Sequence, residues 1–190
     1  MKVVVLNGSP RRGGNTDLLV DAFVRGASEE NDVVVFEVAD MDISPCIGCE
    51  ACFCSEGHAC IHSDDMSRIC EALSAADVLV LATPLYFYGA SSQLKKVVDR
   101  LHTPMRSGFR IRHAALLSVG AASIPDLFEP IVTQYRMALR FFGIEDLGTV
   151  LVGGVRGKGD IAGNPALDEA HALGRSVGGC GSHLRSPADH

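Results

Sequence analysis

Lys2-Val3-Val4-Val5-Leu6 runs straight into Asn7-Gly8-Ser9-Pro10-Arg11-Arg12-Gly13-Gly14-Asn15-Thr16, and the apolar positions Leu18, Leu19, Ala22 and Phe23 follow. The first stretch is a continuous apolar, β-branched run, the pattern of a strand buried on both faces. The second is rich in turn formers, and the third carries the spacing of a helix from Thr16 to about Ala27. A buried strand feeding a glycine-rich loop that opens a helix is half of a strand–helix–strand crossover, and it decides the fold class.

The same alternation continues outward. Asp32 to Val38 reads as an edge-like second strand, bracketed by Asp32 and Glu37. Val78 to Ala82, Ala114 to Val119 and Leu147 to Val152 read as strands three to five. Ser63 is placed to cap a helix with Asp64 and Asp65 in its first turn, where carboxylates suit the helix dipole. Ser92 to Leu101 reads as the next helix. Ser123-Ile124-Pro125-Asp126 resembles a capped start for a helix running to Phe142, with Gly143 as its stop. Asn164-Pro165 opens a last helix with an N-cap and an N1 proline. Five strands alternating with five helices predict an α/β domain, a doubly wound parallel sheet with helices on both faces. The domain is expected over residues 1–178, with a cysteine-rich connection at 45–62 and a flexible tail at 179–190.

Composition narrows the function classes. The 190 residues are 47% hydrophobic and 21% charged, with a net charge of −6, which argues against a nucleic-acid binder. No apolar run approaches the ~20 residues that span a bilayer. The first residues lack the roughly 7–15-residue apolar core of a signal peptide, so a cytoplasmic location is expected. In a reducing compartment, five of the seven cysteines falling between Cys46 and Cys60 point to metal or redox chemistry before a disulfide framework.

In a doubly wound sheet the ligand sits beyond the carboxyl ends of the strands, where the strand order reverses. After strand one, glycines admit backbone amides to an anion, Ser9 and Thr16 offer hydroxyls, and Arg11 and Arg12 offer charge. The loop is not a Walker A, having no Gly-Lys-Ser/Thr, and its glycines break the dinucleotide spacing. A hydroxyl-rich loop without lysine suits a monophosphate such as that of FMN; the alternative is a solvated glycine loop capped by Asn15. After strand three, Thr83-Pro84-Leu85-Tyr86-Phe87-Tyr88-Gly89-Ala90-Ser91 puts three consecutive aromatics in a loop. A flat apolar ring is a natural partner for them; packing beneath the loop or into a subunit interface is the alternative. Ser118-Val119-Gly120-Ala121-Ala122 after strand four is small enough for backbone contacts to a ring edge.

The Gly8-Ser9-Pro10-Arg11 … Gly14-Asn15-Thr16 loop resembles the phosphate loop of the NADPH-dependent FMN reductase family. Thr83-Pro84-x-Tyr86 … Gly89-x-x-Ser92-x-x-x-Lys96-x-x-x-Asp99-Arg100 is similar to that family's isoalloxazine loop and the helix after it. Pro45-Cys46-x-Gly48-Cys49-x-x-Cys52, Cys60 and Asp64-Asp65-Met66 resemble its iron–sulfur flavoprotein branch, and Val152-Gly153-Gly154-Val155 … Lys158-Gly159-Asp160 matches more loosely. The resemblance implies a flavodoxin-like fold, FMN, NAD(P)H as co-substrate, and a homodimer or homotetramer with the flavin near an interface. By position, Ser9, Arg11, Asn15 and Thr16 would hold the phosphate. Pro84, Leu85, Tyr86, Phe87 and Gly89 would contact the ring, with Ser118 and Gly120 at its other edge.

The cysteine segment admits three readings. Cys46-x2-Cys49-x2-Cys52-x7-Cys60 puts three thiols in one compact loop and a fourth further on, a set able to ligate a [4Fe–4S] cluster, with Cys54 as another fourth ligand. Zinc could use four cysteines or recruit His58 or His62, although its sites more often show two separated knuckles. Free thiols are the third reading. Elsewhere, Arg106, Arg110 and Arg112 near His102 and His113 form either a docking patch for a phosphate or acidic carrier, or a solvated face. Cys70, beside Ile69 and Leu73, reads as a core thiol. Asp64-Asp65 reads as a helix start, and Asp99 and Arg100 as an ion pair within or between subunits. No Ser/His/Asp arrangement is present, so no catalytic side chain is expected and the flavin carries the chemistry. Two functions follow: an NAD(P)H-dependent reductase of quinones, nitro compounds, flavins or similar acceptors, or an electron-transfer protein serving a ferredoxin-type partner.

Overall fold

The computed structural model describes residues 1–179. Its strands are β1 (Lys2–Asn7), β2 (Asp32–Glu37), β3 (Val78–Tyr86), the two-residue β4 (Gly89–Ala90), β5 (His113–Val119) and β6 (Glu145–Val152). The helices are α1 (Asn15–Ala27), the short α2 (Ala51–Cys54), α3 (Met66–Ala75), α4 (Ser92–Arg100), α5 (Glu129–Phe142) and α6 (Ala166–Gly179). Five strands pair in parallel in the order β2-β1-β3-β5-β6, and β4 folds back antiparallel on β3. This is the doubly wound α/β sheet that the alternating pattern predicts, with its order reversing between β1 and β3. The tail expected at 179–190 lies almost wholly outside the described residues.

Alternation along the central strands builds two cores. Val3 and Val5 pack with Leu19, Phe23, Ala166 and Ala170 on the side of α1 and α6. Val4 and Leu6 pack with Ile69, Leu73, Leu94 and Val97 on the side of α3, α4 and α5. Both faces of β1 are therefore covered, which is why it reads as an unbroken apolar run. The α1–α6 contact is unusually close. A Cβ on Gly26 would strike the carbonyl oxygen of His171, and one on Gly174 would strike that of Phe23.

Two helix starts differ from the sequence reading. The helix predicted from Ser63 begins at Met66; Asp64 precedes it and accepts the Met66 N–H at 3.2 Å. The helix predicted from Ser123 begins at Glu129, because the chain after β5 stays paired with the chain after β6. The Gly154 N–H donates to the Ala122 carbonyl at 2.9 Å, and the Val155 N–H to that of Gly120 at 3.0 Å. The α5 stop stands: Gly143 adopts the left-handed conformation at φ 67°. Asn164 caps the last helix as read, its side-chain oxygen accepting the Ala166 N–H at 2.9 Å.

Candidate functional site

Beyond the carboxyl ends of the strands lies a cavity of about 230 Å3, walled by the segments after β1, β3, β5 and β6. The β1 loop supplies Ser9, Arg11, Asn15 and Thr16, and the β3 hairpin supplies Pro84, Leu85 and Tyr86. Val119 at the end of β5 and Ala121 beyond it line it, as do Arg156, Gly157 and Lys158 after β6. Phe87 and Gly89 stand beside it on the hairpin without lining it. Ser118 and Gly120, the residues expected at the ring's other edge, do not line it. Ser118 is fully buried and its hydroxyl donates to the Thr83 carbonyl at 3.0 Å. The Gly120 N–H donates to the Val152 carbonyl at 2.8 Å, so its backbone extends the sheet.

The phosphate loop is held from below. Asn7 is fully buried, and its amide donates to Asp17 at 2.8 Å and to Glu37 at 3.0 Å. Asp17 in turn accepts the Gly13 N–H at 2.7 Å. Arg12 points away from the cavity and pairs with Glu37 and Asp40. Burial pushes the Glu37 carboxyl above its ordinary pKa, beyond what Arg12 takes back. Of the two adjacent arginines, only Arg11 is therefore left to an anion.

The donor set fits a phosphate monoester. The first-turn amides of α1 have no helical partner, and the helix dipole favours an anion there. Thr16 is 2% exposed and lines the cavity, and its hydroxyl makes no hydrogen bond among the described residues. Arg11, Arg156 and Lys158 bring positive charge, and no carboxylate lines the wall. Val119, Ala121, Arg156 and Lys158 were missed as single residues from sequence. The Lys158-Gly159-Asp160 similarity was the available signal for the last of them.

The aromatic hairpin is strained. Tyr86 pairs with Gly89, so Phe87 and Tyr88 form a two-residue turn, both left-handed at φ 48° and 68°. That turn normally takes Asn-Gly, because bulky side chains resist positive φ. Phe87 is 97% exposed at the tip. Strain and an uncovered aromatic coincide at the rim of the cavity, where function concentrates such features.

The cysteine segment stands on a separate neck. Arg100 and Asp64 form a salt bridge with both side chains 5% exposed. Arg100 also donates to the Ser44 carbonyl at 3.0 Å, and Asp64 accepts the Ser44 N–H at 2.9 Å. The Asp65 N–H donates to the Asp42 carbonyl at 2.9 Å, while the Asp42 N–H reaches the Asp65 carboxylate at 3.0 Å. Arg100 thus pairs with Asp64, whereas Asp99 pairs with Lys95. Beyond the neck, Phe53 packs on His102 with centroids 5.6 Å apart. Among the described residues no three Cys, His, Asp or Glu side chains stand close enough to hold a metal ion. The candidates Cys46, Cys49, Cys52, Cys54 and Cys60 are thus not gathered as they stand, nor are His58 and His62 drawn in with them.

Cys70 is buried in the core, as read, and burial raises its pKa. In protein stripped of metal, alkylation followed by peptide mass mapping is expected to label Cys46, Cys49, Cys54 and Cys60 before Cys70. Equal rates would contradict the burial.

The family described as NADPH-dependent FMN reductase matches residues 1–125. An iron–sulfur flavoprotein from Methanocaldococcus jannaschii is 40% identical over 125 residues, covering 64% of this chain and 63% of that protein. This chain therefore aligns with less than two thirds of that relative's length. A putative NAD(P)H-dependent FMN-containing oxidoreductase from Bacillus subtilis is 29% identical over 181 residues, covering 91% of this chain and 96% of that one. The NAD(P)H:quinone oxidoreductase structure from Methanothermobacter marburgensis superposes with a TM-score of 0.78 at 20% identity, covering 100% of this chain and 99% of that one. At that identity the superposition shows the flavodoxin-like fold alone.

Proposed function

The chain belongs to the NADPH-dependent FMN reductase family, and from that premise we propose that its cavity holds FMN for an NAD(P)H-dependent reductase of small acceptors. The observation that carries this reading is the joining of an anion-binding helix start to an aromatic hairpin in one cavity, with three cations and no carboxylate on its wall. Ser9, Arg11 and Thr16 are placed to take the phosphate, and Asn15 stands beside them. Pro84, Leu85 and Tyr86 are placed to take the ring on one side, with Val119 and Ala121 on the other; Phe87 and Gly89 shape the hairpin. Bound there, FMN would supply the hydride and electron transfer that no side chain of the wall provides. The wall holds no His, Asp, Glu or Cys, so the chain's own part is to position the ring, exclude water and stabilise charge.

The enclosed volume of about 230 Å3 falls below the ~300–1,000 Å3 usual for a closed ligand site. Phe87 and Tyr88, exposed on the hairpin next to the lining residue Tyr86, suit a homodimer or homotetramer and access for a planar quinone, nitro compound or flavin. Replacing Phe87-Tyr88 with Asn-Gly is expected to stabilise the fold, since each relieved left-handed residue is worth about 1 kcal/mol. The same change is expected to weaken flavin binding, because Tyr88 and Phe87 leave the rim. Thermal melts and flavin titration read the two effects separately, and a loss of both would contradict the strain.

The central test is direct. The purified chain is expected to show a flavin spectrum, to release FMN on denaturation, and to consume NADPH when a quinone is added. A colourless protein that binds no FMN would overturn the reading. A second reading, an electron-transfer protein with a [4Fe–4S] cluster and a ferredoxin-type partner, is favoured by the thiol density between Cys46 and Cys60 and by the iron–sulfur name of the 40% identical relative. Iron and acid-labile sulfide in anaerobically purified protein, with negligible NADPH–quinone turnover, would decide for it.

A further inference from the structure

We propose that the segment 156–161 is a cationic clasp on the cofactor's phosphate, which makes the site select FMN over riboflavin, and that Asn15 is the residue that positions this clasp. The inference rests on the FMN reading above and deepens it.

Four hydrogen bonds tie the clasp to the phosphate loop across the fold. The Arg11 guanidinium donates to the Arg156 carbonyl at 3.2 Å. The Asn15 amide donates to the Gly157 carbonyl at 2.8 Å. Its oxygen accepts the N–H groups of Gly159 at 3.0 Å and Ile161 at 3.3 Å. The acceptor of Asn15 is thereby filled, and only one amide hydrogen remains for any ligand. This differs from Asn15 as a phosphate contact, the role its position in the motif implies.

The clasp's own carboxylate is turned away from the cavity. Asp160 accepts the backbone N–H groups of Arg156 at 3.0 Å and Gly157 at 2.6 Å, and it does not line the wall. Arg156 and Lys158 do line it, and neither pairs with a carboxylate among the described residues. Two uncompensated cations therefore face the same space as the unpartnered Thr16 hydroxyl and the start of α1. A phosphate dianion answers all of these groups; the neutral end of riboflavin answers none of the charge.

The test uses the full chain freed of flavin, titrated with FMN and with riboflavin and followed by flavin fluorescence. The wild type is expected to prefer FMN. The exposed pair R156A/K158A should weaken FMN binding by about 10- to 100-fold, the range for lost charged partners, and leave riboflavin unchanged. Asn15→Ala should weaken FMN alone, and should add little on top of R156A/K158A, because it acts through the clasp. FMN binding unaltered in R156A/K158A would overturn the inference while leaving the FMN reading intact. So would a full, additive effect of Asn15→Ala in the triple variant, which would return Asn15 to direct contact. Failure of the wild type to bind either flavin would instead overturn the FMN reading itself.

Discussion

Arg100→Ala is expected to lower the unfolding free energy by about 3–5 kcal/mol, the usual loss when one member of a buried ion pair is removed. Asp64 would be left 5% exposed without its counter-charge, and Ser44 would lose a carbonyl partner. Urea denaturation followed by circular dichroism measures the change, and a loss below about 1 kcal/mol, the level of a surface pair, would refute it. The pH dependence carries a second signature. Burial alone pushes the Asp64 carboxyl up, but the hydrogen bonds from Arg100, Ser44 and Met66 outweigh it and hold the pKa below its ordinary value. A carboxyl lowered by folding adds stability above its unfolded pKa, and that stability is lost as pH falls through the folded value. Without Arg100 only the Ser44 and Met66 N–H groups are left to oppose burial, so the lowering weakens and the variant should lose less of its remaining stability in acid than the wild type does.

Gly174→Ala is expected to destabilise by about 3 kcal/mol, the upper end for inserting a methyl group into a filled core. The direction is opposite to the ordinary rule, under which replacing a mid-helix glycine by alanine gains about 0.5–1 kcal/mol. The reason is that the added Cβ meets the backbone carbonyl of Phe23, which no rotamer change can move aside. Gly26→Ala meets the His171 carbonyl in the same way, so the two helices would have to separate. Once one variant has pushed them apart, the second should cost less than its single effect. Thermal or chemical melts of the two single variants and the double variant read this, and a stabilised Gly174→Ala would show that the helices are not in close contact.

What could be read from sequence was local. The strand runs, the glycine-rich loop into α1, the Gly143 stop and the Asn164 cap each depend on residues close in the chain. The misreadings all have long-range causes. Ser123 resembles a helix cap, but the segment before it is held to the β6 segment through Gly120 and Ala122, and the chain turns over residues 125–128 before the helix begins at Glu129. The Ser118 hydroxyl and the Gly120 N–H are engaged by the Thr83 and Val152 carbonyls, residues far along the chain. Arg100 sits next to Asp99 but pairs with Asp64, 36 residues away. Arg156 lines the cavity on a segment that Asn15 holds from more than 140 positions upstream. Spacing rules reach a few residues, and none of these partners lies within that range.

The neck formed by Arg100, Asp64, Asp42 and Asp65 also sets the segment 45–63 apart from the sheet. Both ends of the segment 45–63 are anchored to α4 and α3, so the sheet does not register how many residues hang between them. Doubling such a loop costs only about 0.6 kcal/mol in closure entropy. Cysteine number and spacing can therefore drift, and thiols can be gained or lost, while the flavin domain beneath keeps its geometry. The fold works here as a socket, and the thiol-bearing segment as a part that can be exchanged.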